Sequence, residues 1–494
     1  MQFLGQHAQG WVEGLLKVKQ QILDAAFLCA LGLNIYCFWG FSVDDALIIA
    51  RSASCVLQSG VADFNCSVPA TNGVTPLGYD WLLALLGGTF GLTQASELWQ
   101  LARWMGVIFW FAAISLAWLS GRPVNSKGKI YFLLGLICCP WAGAWASAGL
   151  ATAFVSLLLI AGDSLPVANS ASQRAKAAGA GLVGLGAGLR PELSILGLAL
   201  LTGRKTNREQ PLRLATIYTA TVSLFFVVRR IVYGHWLPLA AIAKSPDLDH
   251  GLYYISATLI HGGLFYLVVG QKAEQQKGKG ANIFLLVGIS LLSILFAGGD
   301  WMPLFRLFVP VVPLLLCRLK YFQRNNWITK TFVLLGICTT CNLVVHYWGS
   351  ARAVVRTREE WIEKGAHLLR GSHRIATVDI GWVGAASPAK ILDLGGVTNP
   401  AVAVLPGGHT SKAVPLAFFE TWDADAWVIR LRSQKVQPGS ATDSLEAYYA
   451  VDRNLLRAGA GEQFELTAVF SIPRTSEQYG ILRKKNKLHP SATP

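Results

Sequence analysis

The chain has 494 residues, 53% of them hydrophobic and only 14% charged. A soluble domain carries about 25% charged residues, so a chain this apolar lacks the polar surface to cover a soluble core and reads as a polytopic membrane protein. Its net charge of +15 would suit a nucleic-acid binder, but the bases gather in short loops between apolar segments, the positive-inside pattern, and no nucleic-acid partner is expected.

The first apolar stretch, residues 21–41, shows no cleavage site after a short apolar core. It therefore reads as a retained membrane helix and not as a signal peptide. Asp44 and Asp45 follow at what should be its outer mouth. Acidic residues at a membrane boundary are costly to keep and usually face a cavity or water. Residues 42–100 read as one large outer loop. Within it, Cys55 and Cys66 can close a short disulfide if the loop faces an oxidising compartment, and stay free if it does not. The run from Trp81 to Leu86 is broken by Gly87, Gly88 and Gly91, so 77–99 is expected to lie along the outer interface without crossing.

Further helices are expected at about 101–119, 130–146, 149–163, 176–189, 191–203, 214–232, 252–270, 281–297, 303–318 and 331–348, making eleven spans with the first. Several are shorter than the ~20 residues a straight span needs. Gly and Pro interrupt those between 130 and 203, and broken helices are tolerated where they line a cavity. Charge tests the count. Lys17 and Lys19 precede the first helix, and Arg122, Lys127 and Lys129 follow the second. Arg204, Lys205, Arg208 and Arg213, then Lys272, Lys277 and Lys279, then Arg318, Lys320, Arg324 and Lys330 form three more basic groups. With eleven spans, all five groups fall on one side, the cytoplasm. The alternate loops hold Asp44, Asp45, Asp63, Asp247, Asp249 and Asp300. The N-terminus is then cytoplasmic and the C-terminus outside.

Residues 1–348 thus form the membrane domain, and from 349 the composition changes. Residues 351–370 are charged and helical in pattern, and short β-rich runs such as Arg374–Ile380 follow between Gly- and Pro-rich turns. Residues 349–494 are expected to be an extracytoplasmic mixed α/β domain, large enough for its own core. Its basic end, with Arg483, Lys484, Lys485 and Lys487, reads as a solvated tail. The remaining cysteines, Cys29, Cys37, Cys138, Cys139, Cys317, Cys338 and Cys341, lie in apolar runs and read as packing residues. No spacing suggests zinc, no other metal is expected, and no internal repeat is evident.

A carboxylate at Asp44 or Asp45 can take the proton of an attacking hydroxyl. The alternative is that Asp44 caps the helix starting near Ala46, and spacing does not decide between them. Three further polar sets lie on the outer side: Arg190-Pro-Glu192, Tyr233-Gly-His235-Trp-Leu-Pro followed by Lys244, and Gly298-Gly-Asp300-Trp301-Met-Pro-Leu-Phe-Arg306. The planar fork of arginine suits phosphate. The plain alternatives are an internal Arg190–Glu192 pair, a lone exposed lysine, and an interfacial Trp beside a snorkelling Arg.

Taken in order, Asp44-Asp-Ala with Arg51, Asn72-Gly-x-Thr75-Pro-Leu, Arg190-Pro-Glu, Tyr233-Gly-x-x-Leu-Pro with Ala-Lys244, and Gly-Gly-Asp300-x-Met-Pro-x-Phe-Arg306 resemble the GT-C membrane glycosyltransferases. Within that group the set is similar to the terminal arabinofuranosyltransferases of mycobacterial cell walls and their Gram-negative relatives, including pilin-modifying enzymes. Val378-Asp-Ile-Gly and Ile391-Leu-Asp-Leu-Gly-Gly-Val resemble the start of the outer domain there, so the likeness covers most of 35–410. Leu47-Ile48 stands where relatives often carry an aromatic, Val74 where they often carry Tyr, and the soluble domain is short.

The resemblance implies a polyprenyl-phosphate sugar donor, with D-arabinofuranose as the sugar, and no cofactor. It implies Asp44 as base with Asp45 beside it, and Lys244, Arg306 and Arg190 on the donor phosphate. Asp300, Arg51, Asn72, Thr75, Tyr79, His235 and Trp301 would meet the sugar or acceptor. The acceptor would be a cell-envelope glycan or a secreted protein such as pilin, and the place the bacterial inner membrane. A transferase of mannose or aminoarabinose is the nearest alternative. A lipid-linked-sugar flippase, which should show paired repeats, and a structural subunit of an envelope complex are alternatives of other classes.

Overall fold

The computed structural model of the protein describes residues 2–120, 126–165, 172–202, 210–244, 247–270, 283–321, 327–432, 436–473 and 475–485. Of the basic residues counted above, Arg122, Arg204, Lys205, Arg208, Lys272, Lys277, Lys279, Arg324 and Lys487 lie outside the described residues.

The chain opens with helices α1 (Gln2–Tyr36), α2 (Asp44–Ser59), α3 (Tyr79–Thr89) and α4 (Ala95–Leu119). The stretch expected at 130–146 is two helices, α5 (Ser126–Ile137) and α6 (Pro140–Ala146), bent by 64°. Next come α7 (Thr152–Ser164), α8 (Gln173–Leu189), a 3-10 turn at Pro191–Leu193, α9 (Ser194–Thr202) and α10 (Gln210–Tyr233). A short α11 (Leu239–Ala243) leads to α12 (Leu248–His261) and α13 (Leu264–Val269), which split the expected 252–270 helix at Gly262-Gly263. Then follow α14 (Ile283–Phe296), a 3-10 stretch at Arg306–Val311, α15 (Val312–Leu319) and α16 (Trp327–Leu368). The last runs unbroken for 42 residues, joining the expected final span to the charged helix expected after it.

The C-terminal part adds β1 (Arg374–Thr377), α17 (Ile380–Ala386), β2 (Lys390–Asp393), α18 (Pro400–Ala403), α19 (Leu416–Trp422), β3 (Ala426–Leu431), α20 (Ala450–Arg457), β4 (Phe464–Ser471) and β5 (Gln478–Lys484). The expected strand Arg374–Ile380 stops at Thr377, and Ile380 begins a helix.

These elements cluster into two compact units. The first comprises residues up to Ser42, Arg103–Leu224 and Pro246–Ala353; the second comprises Val43–Ala102, Phe225–Ser245 and Val354–Pro494. The segment read from sequence as an outer loop of the membrane domain therefore shares a unit with the C-terminal chain.

The first unit is helical. By length and composition three helices, Ala95–Leu119, Pro211–Tyr233 and Trp327–Leu368, can cross a membrane among the described residues, and the bent α5–α6 pair makes up to four. Trp104, Ile108 and Phe111 of α4 recur at helical spacing and are exposed, whereas Trp110, Ala113 and Ile114 are fully buried. An exposed apolar stripe opposite a packed one suits a lipid-facing helix. The α5–α6 break shows how interrupted helices persist here. Asn34 of α1 donates to the carbonyls of Leu136 (3.0 Å) and Cys139 (2.8 Å) and accepts from the indole N–H of Trp110 at 3.1 Å. A neighbouring helix thus takes up carbonyls that the bend releases. Two bases read as loop charge are internal: Lys320 is buried and donates to the carbonyls of Ala117, Trp118 and Ser120, and Arg318 pairs with Asp163 at 2.8 Å. The positive charge of Lys320 sits where α4 leaves carbonyls unsatisfied.

The second unit is built on a mixed five-stranded sheet of order β2-β1-β3-β5-β4. β1 runs parallel to β2 and β3, while β5 runs antiparallel to β3 and β4. Trp427 of β3 pairs in register with Leu482 of β5, and both belong to a buried cluster with Phe419, Val451 and Phe464. The described part of the basic C-terminal segment, up to Lys485, is therefore not a solvated tail. Arg483 and Lys484 lie in the interior strand β5, where Arg483 donates to the carbonyl of Leu368 at 2.8 Å and Lys484 pairs with Asp423. The apolar alternation of Tyr479, Ile481 and the neighbouring Leu482 outweighs the charge. Cys55 and Cys66 are joined by a disulfide, the outcome expected of an oxidising compartment.

Candidate active site

Within the second unit, α2 and α17 hold one another by both ends. Asp44 is the first residue of α2 but does not cap it; Val43 holds the cap position without a side-chain bond. The Asp44 carboxylate instead accepts from the backbone N–H of Gly381 at 2.6 Å and of Trp382 at 3.1 Å, in the first turn of α17. Arg358 of α16 donates to the same carboxylate at 2.7 Å. The cap expected near Ala46 is thus made, but on another helix. Seven residues on, and so on the same face of α2, buried Arg51 reaches the opposite end of α17. It donates to the carbonyls of Gly384, Ser387 (2.6 Å) and Ala389 (2.6 Å), and to Phe64 at 2.8 Å. An anion at the N-terminus and a cation at the C-terminus both suit the dipole of α17.

Two glycines make this approach possible. A Cβ at Gly381 would lie 2.6 Å from Asp44 Oδ2, and one at Gly384 would lie 2.8 Å from Arg51 Cδ. Burial is the main cause that lifts the Asp44 carboxyl to about 6; Arg358 opposes the rise, and the nearby charges of Asp379 and Asp45 add to it. The side chain keeps about a fifth of its exposure. Asp45 is half-buried beside it.

The other residues expected in this unit are mostly engaged by protein. Asn72 is buried, accepts from Arg229 and donates to the carbonyl of Leu237 at 2.8 Å. Arg229 also donates to the carbonyl of Thr75. Tyr79 is buried at the start of α3, and burial pushes its phenol well up. His235 is half-buried in the turn after α10. Lys244 follows α11, whose Leu239 and Ala243 pack with Ala403 of α18, and it is half-buried with no ion pair among the described residues.

A second polar cluster belongs to the first unit. Arg306 pairs with Asp300 at 2.7 Å, and Arg190 pairs with Glu192 at 3.1 Å; all four side chains are largely buried. Arg190 is also within electrostatic reach of Arg306, Asp300 and Tyr254. Three residues singled out in sequence thus come together. Tyr254, which no spacing pointed to, joins them, its hydroxyl accepting from the Leu307 N–H at 3.1 Å. Arg306 lies over the Trp145 ring at 5.5 Å, and the Trp145 indole donates to the carbonyl of Leu304 at 2.7 Å.

The backbone here is unusual. Leu304 and Phe305 both have positive φ, 63° and 55°, a conformation that costs about 1–3 kcal/mol per residue and collects at functional sites. Beside them is a cavity of about 740 Å³ lined by His250, Tyr253, Asp300, Trp301 and His346 among others. The His250 and Trp301 rings stack at 3.9 Å along its wall. Aromatic walls with one buried carboxylate can hold an amphiphile by its apolar part and fix a polar head.

No protein-family model matches the chain, and no curated protein does. Two solved structures are similar to it. The crystal structure of ArnT from Cupriavidus metallidurans bound to undecaprenyl phosphate matches with a TM-score of 0.53 and 13% identity, over 97% of this chain and 99% of that one. The apo structure of the same protein matches with a TM-score of 0.51 and 12% identity, over 95% and 98%. At such low identity the likeness shows the fold. With the apolar helices, it describes a multi-pass membrane protein.

Proposed function

We propose that this chain is a polyprenyl-phosphate-dependent membrane glycosyltransferase of the GT-C kind. It moves a sugar to an acceptor hydroxyl outside the cytoplasm. The observation that carries the reading is a fold shared over 97% of the chain with a protein bound to undecaprenyl phosphate. The ordered motifs add the finer proposal that the sugar is D-arabinofuranose and the acceptor an envelope glycan or a pilin-like protein. The alternative within the same reaction class is another sugar, mannose or aminoarabinose, on the same kind of carrier.

In the reaction, the acceptor oxygen attacks the anomeric carbon and the bond from that carbon to the phosphate oxygen breaks. The polyprenyl phosphate leaves with the bonding electrons, and the acceptor proton passes to a carboxylate. Asp44, with Asp45 beside it, is the base: a carboxyl lifted to about 6 is ionised at neutral pH yet basic enough to share a proton. Arg306 and Arg190 stabilise the charge growing on the phosphate. Both arginines are held in ion pairs before donor arrives, so the phosphate must share them with Asp300 and Glu192. Asp300 and Trp301 line the cavity that receives the donor. The side chains of Arg51 and Asn72 meet protein atoms and are read as scaffold, whereas Thr75 gives only its backbone carbonyl to Arg229 and keeps its proposed place near the sugar or acceptor.

The disulfide supports an extracytoplasmic face for residues 42–100. Read with the eleven spans expected from sequence, this puts the proposed N-terminus in the cytoplasm of a bacterial inner membrane and the proposed 349–494 domain outside. The test is transfer of radiolabelled sugar from synthetic polyprenyl-phospho-arabinofuranose by the purified protein in detergent. Label reaching an acceptor is the expected result. Binding of the lipid without transfer of either pentose to any acceptor would turn the reading toward transport.

A further inference from the structure

We propose that Asp379 is a positioning residue for the Asp44 carboxylate, acting through the first turn of α17. The inference rests on the reading of Asp44 as the base.

Asp379 occupies the cap position of α17 and is the residue type that usually caps a helix. Its side chain makes no cap bond. Instead the hydroxyls of Tyr449 and Tyr479 each donate to it at 2.8 Å, one to each oxygen. Tyr479 lies in β5, an interior strand, and is buried. With its own aspartate drawn away, the first turn of α17 has N–H groups left over, and Asp44 takes those of Gly381 and Trp382. The cap is thus exchanged: the cap residue is anchored on the sheet, and the vacated donors hold a carboxylate from α2. Arg51 at the far end of α17 fixes the register of α2. The base is aimed by the C-terminal sheet, through Asp379, and not by its own helix.

Charge follows the same geometry. Asp44 is faced by Arg358 from α16, by Asp45 from α2 and by Asp379. Asp379 is faced by Tyr449, Tyr479, Arg430 and Asp452. Removing the negative charge of Asp379 stabilises the ionised form of Asp44, and removing the positive charge of Arg358 destabilises it. The two substitutions therefore act with opposite sign on a base that must be deprotonated to work.

The experiment is the pH dependence of kcat/KM for sugar transfer by the full-length protein. In the parent, activity falls below a limb near pH 6, set by a carboxyl at about 6. Asp379→Asn is expected to move that limb down by roughly half a pH unit or more, and Arg358→Gln to move it up by a similar amount. Asp379→Glu, which keeps the charge, should return the limb toward its parental position. A loss of rate in Asp379→Asn with an unmoved limb would make Asp379 merely structural and overturn the proposal.

Should Asp379→Asn fail to fold, the double variant Tyr449→Phe, Tyr479→Phe decides. It frees Asp379 to compete for the α17 N–H groups, so Asp44 loses donors and the limb moves up; an unmoved limb again overturns the proposal. Asp44→Asn separates this from the underlying reading. Wild-type transfer by that variant removes Asp44 as base, whatever Asp379 does.

Discussion

The two units solve the same problem, keeping charge inside a protein, in different ways. In the first, each arginine of the polar cluster meets a carboxylate, Arg306 with Asp300 and Arg190 with Glu192, so charge is balanced locally. In the second, Asp44 and Arg51 lean on the two ends of one short helix, with Arg358 as a third partner. On the proposed function, pairing suits a cluster that would receive another anion, because a phosphate can take over part of the arginine donor set. Bonding to backbone suits a group that must stay aimed, because a helix end does not change rotamer. The difference teaches that the same residue types, acid and arginine, are paired with each other in one unit and fixed on backbone in the other.

The sharpest way to break this contrast is at the base. Asp44→Asn keeps the size but removes the proton acceptor and turns an NH2 group toward one of the donors from α17 or Arg358, and transfer should fall about 10³-fold, within the usual range for a lost general base. Asp45→Asn should fall less. A transfer assay on both variants, with a thermal melt as control, assigns the role; the reverse order would make Asp44 the clamp and Asp45 the base.

Next is the paired cluster. Arg306→Gln leaves Asp300 buried and uncompensated, so stability should drop by about 3 kcal/mol and the KM for donor should rise. Thermal unfolding in detergent and donor titration measure the two together. An unchanged donor KM would separate Arg306 from the phosphate.

In the fixed unit, Arg51→Ala should also destabilise by about 3 kcal/mol, because several buried carbonyls lose a charged donor. It should lower kcat while leaving donor KM alone, the opposite split from Arg306→Gln. A change in donor KM for Arg51→Ala would return that residue to the list of substrate contacts.

Smaller still, a Cys55→Ala, Cys66→Ala variant loses a cross-link between residues 11 apart in sequence, which should lower stability by about 2–3 kcal/mol. Limited proteolysis should then open 43–102 before the apolar helices; uniform opening would show that the units unfold together. The smallest effect expected is that of EDTA. On the proposed function the leaving group is a monophosphate met by arginine, which does not call for a metal, so transfer should persist, and clear inactivation would show that one is needed.

Much of the helical layout was legible, because a membrane helix must be apolar along its whole length and each expected stretch contains helix. The breaks at Cys138-Cys139 and Gly262-Gly263 were only partly so, since a bend depends on a neighbour such as Asn34 to take up the released carbonyls. Arg318 and Lys320 were read as loop charge, and their burial was invisible because their partners, Asp163 and the end of α4, are far away in sequence. The spacing of Asp44 and Arg51 by seven, and of Gly381 and Gly384 by three, was a signal available for the clamp. Nothing local linked the two pairs, and nothing marked Arg358 or Tyr254.

The sequence by itself determined the membrane class, most helices, the carboxylate pair at the head of the 42–100 segment and the cysteines able to join. These follow from composition, periodicity and short spacing, which act along the chain. The tertiary structure alone decided what the acids and arginines touch. Only packing brings a residue near 44 to one near 380, and a carboxylate becomes a cap, an ion-pair partner or a base according to which donors reach it and how far water is kept away.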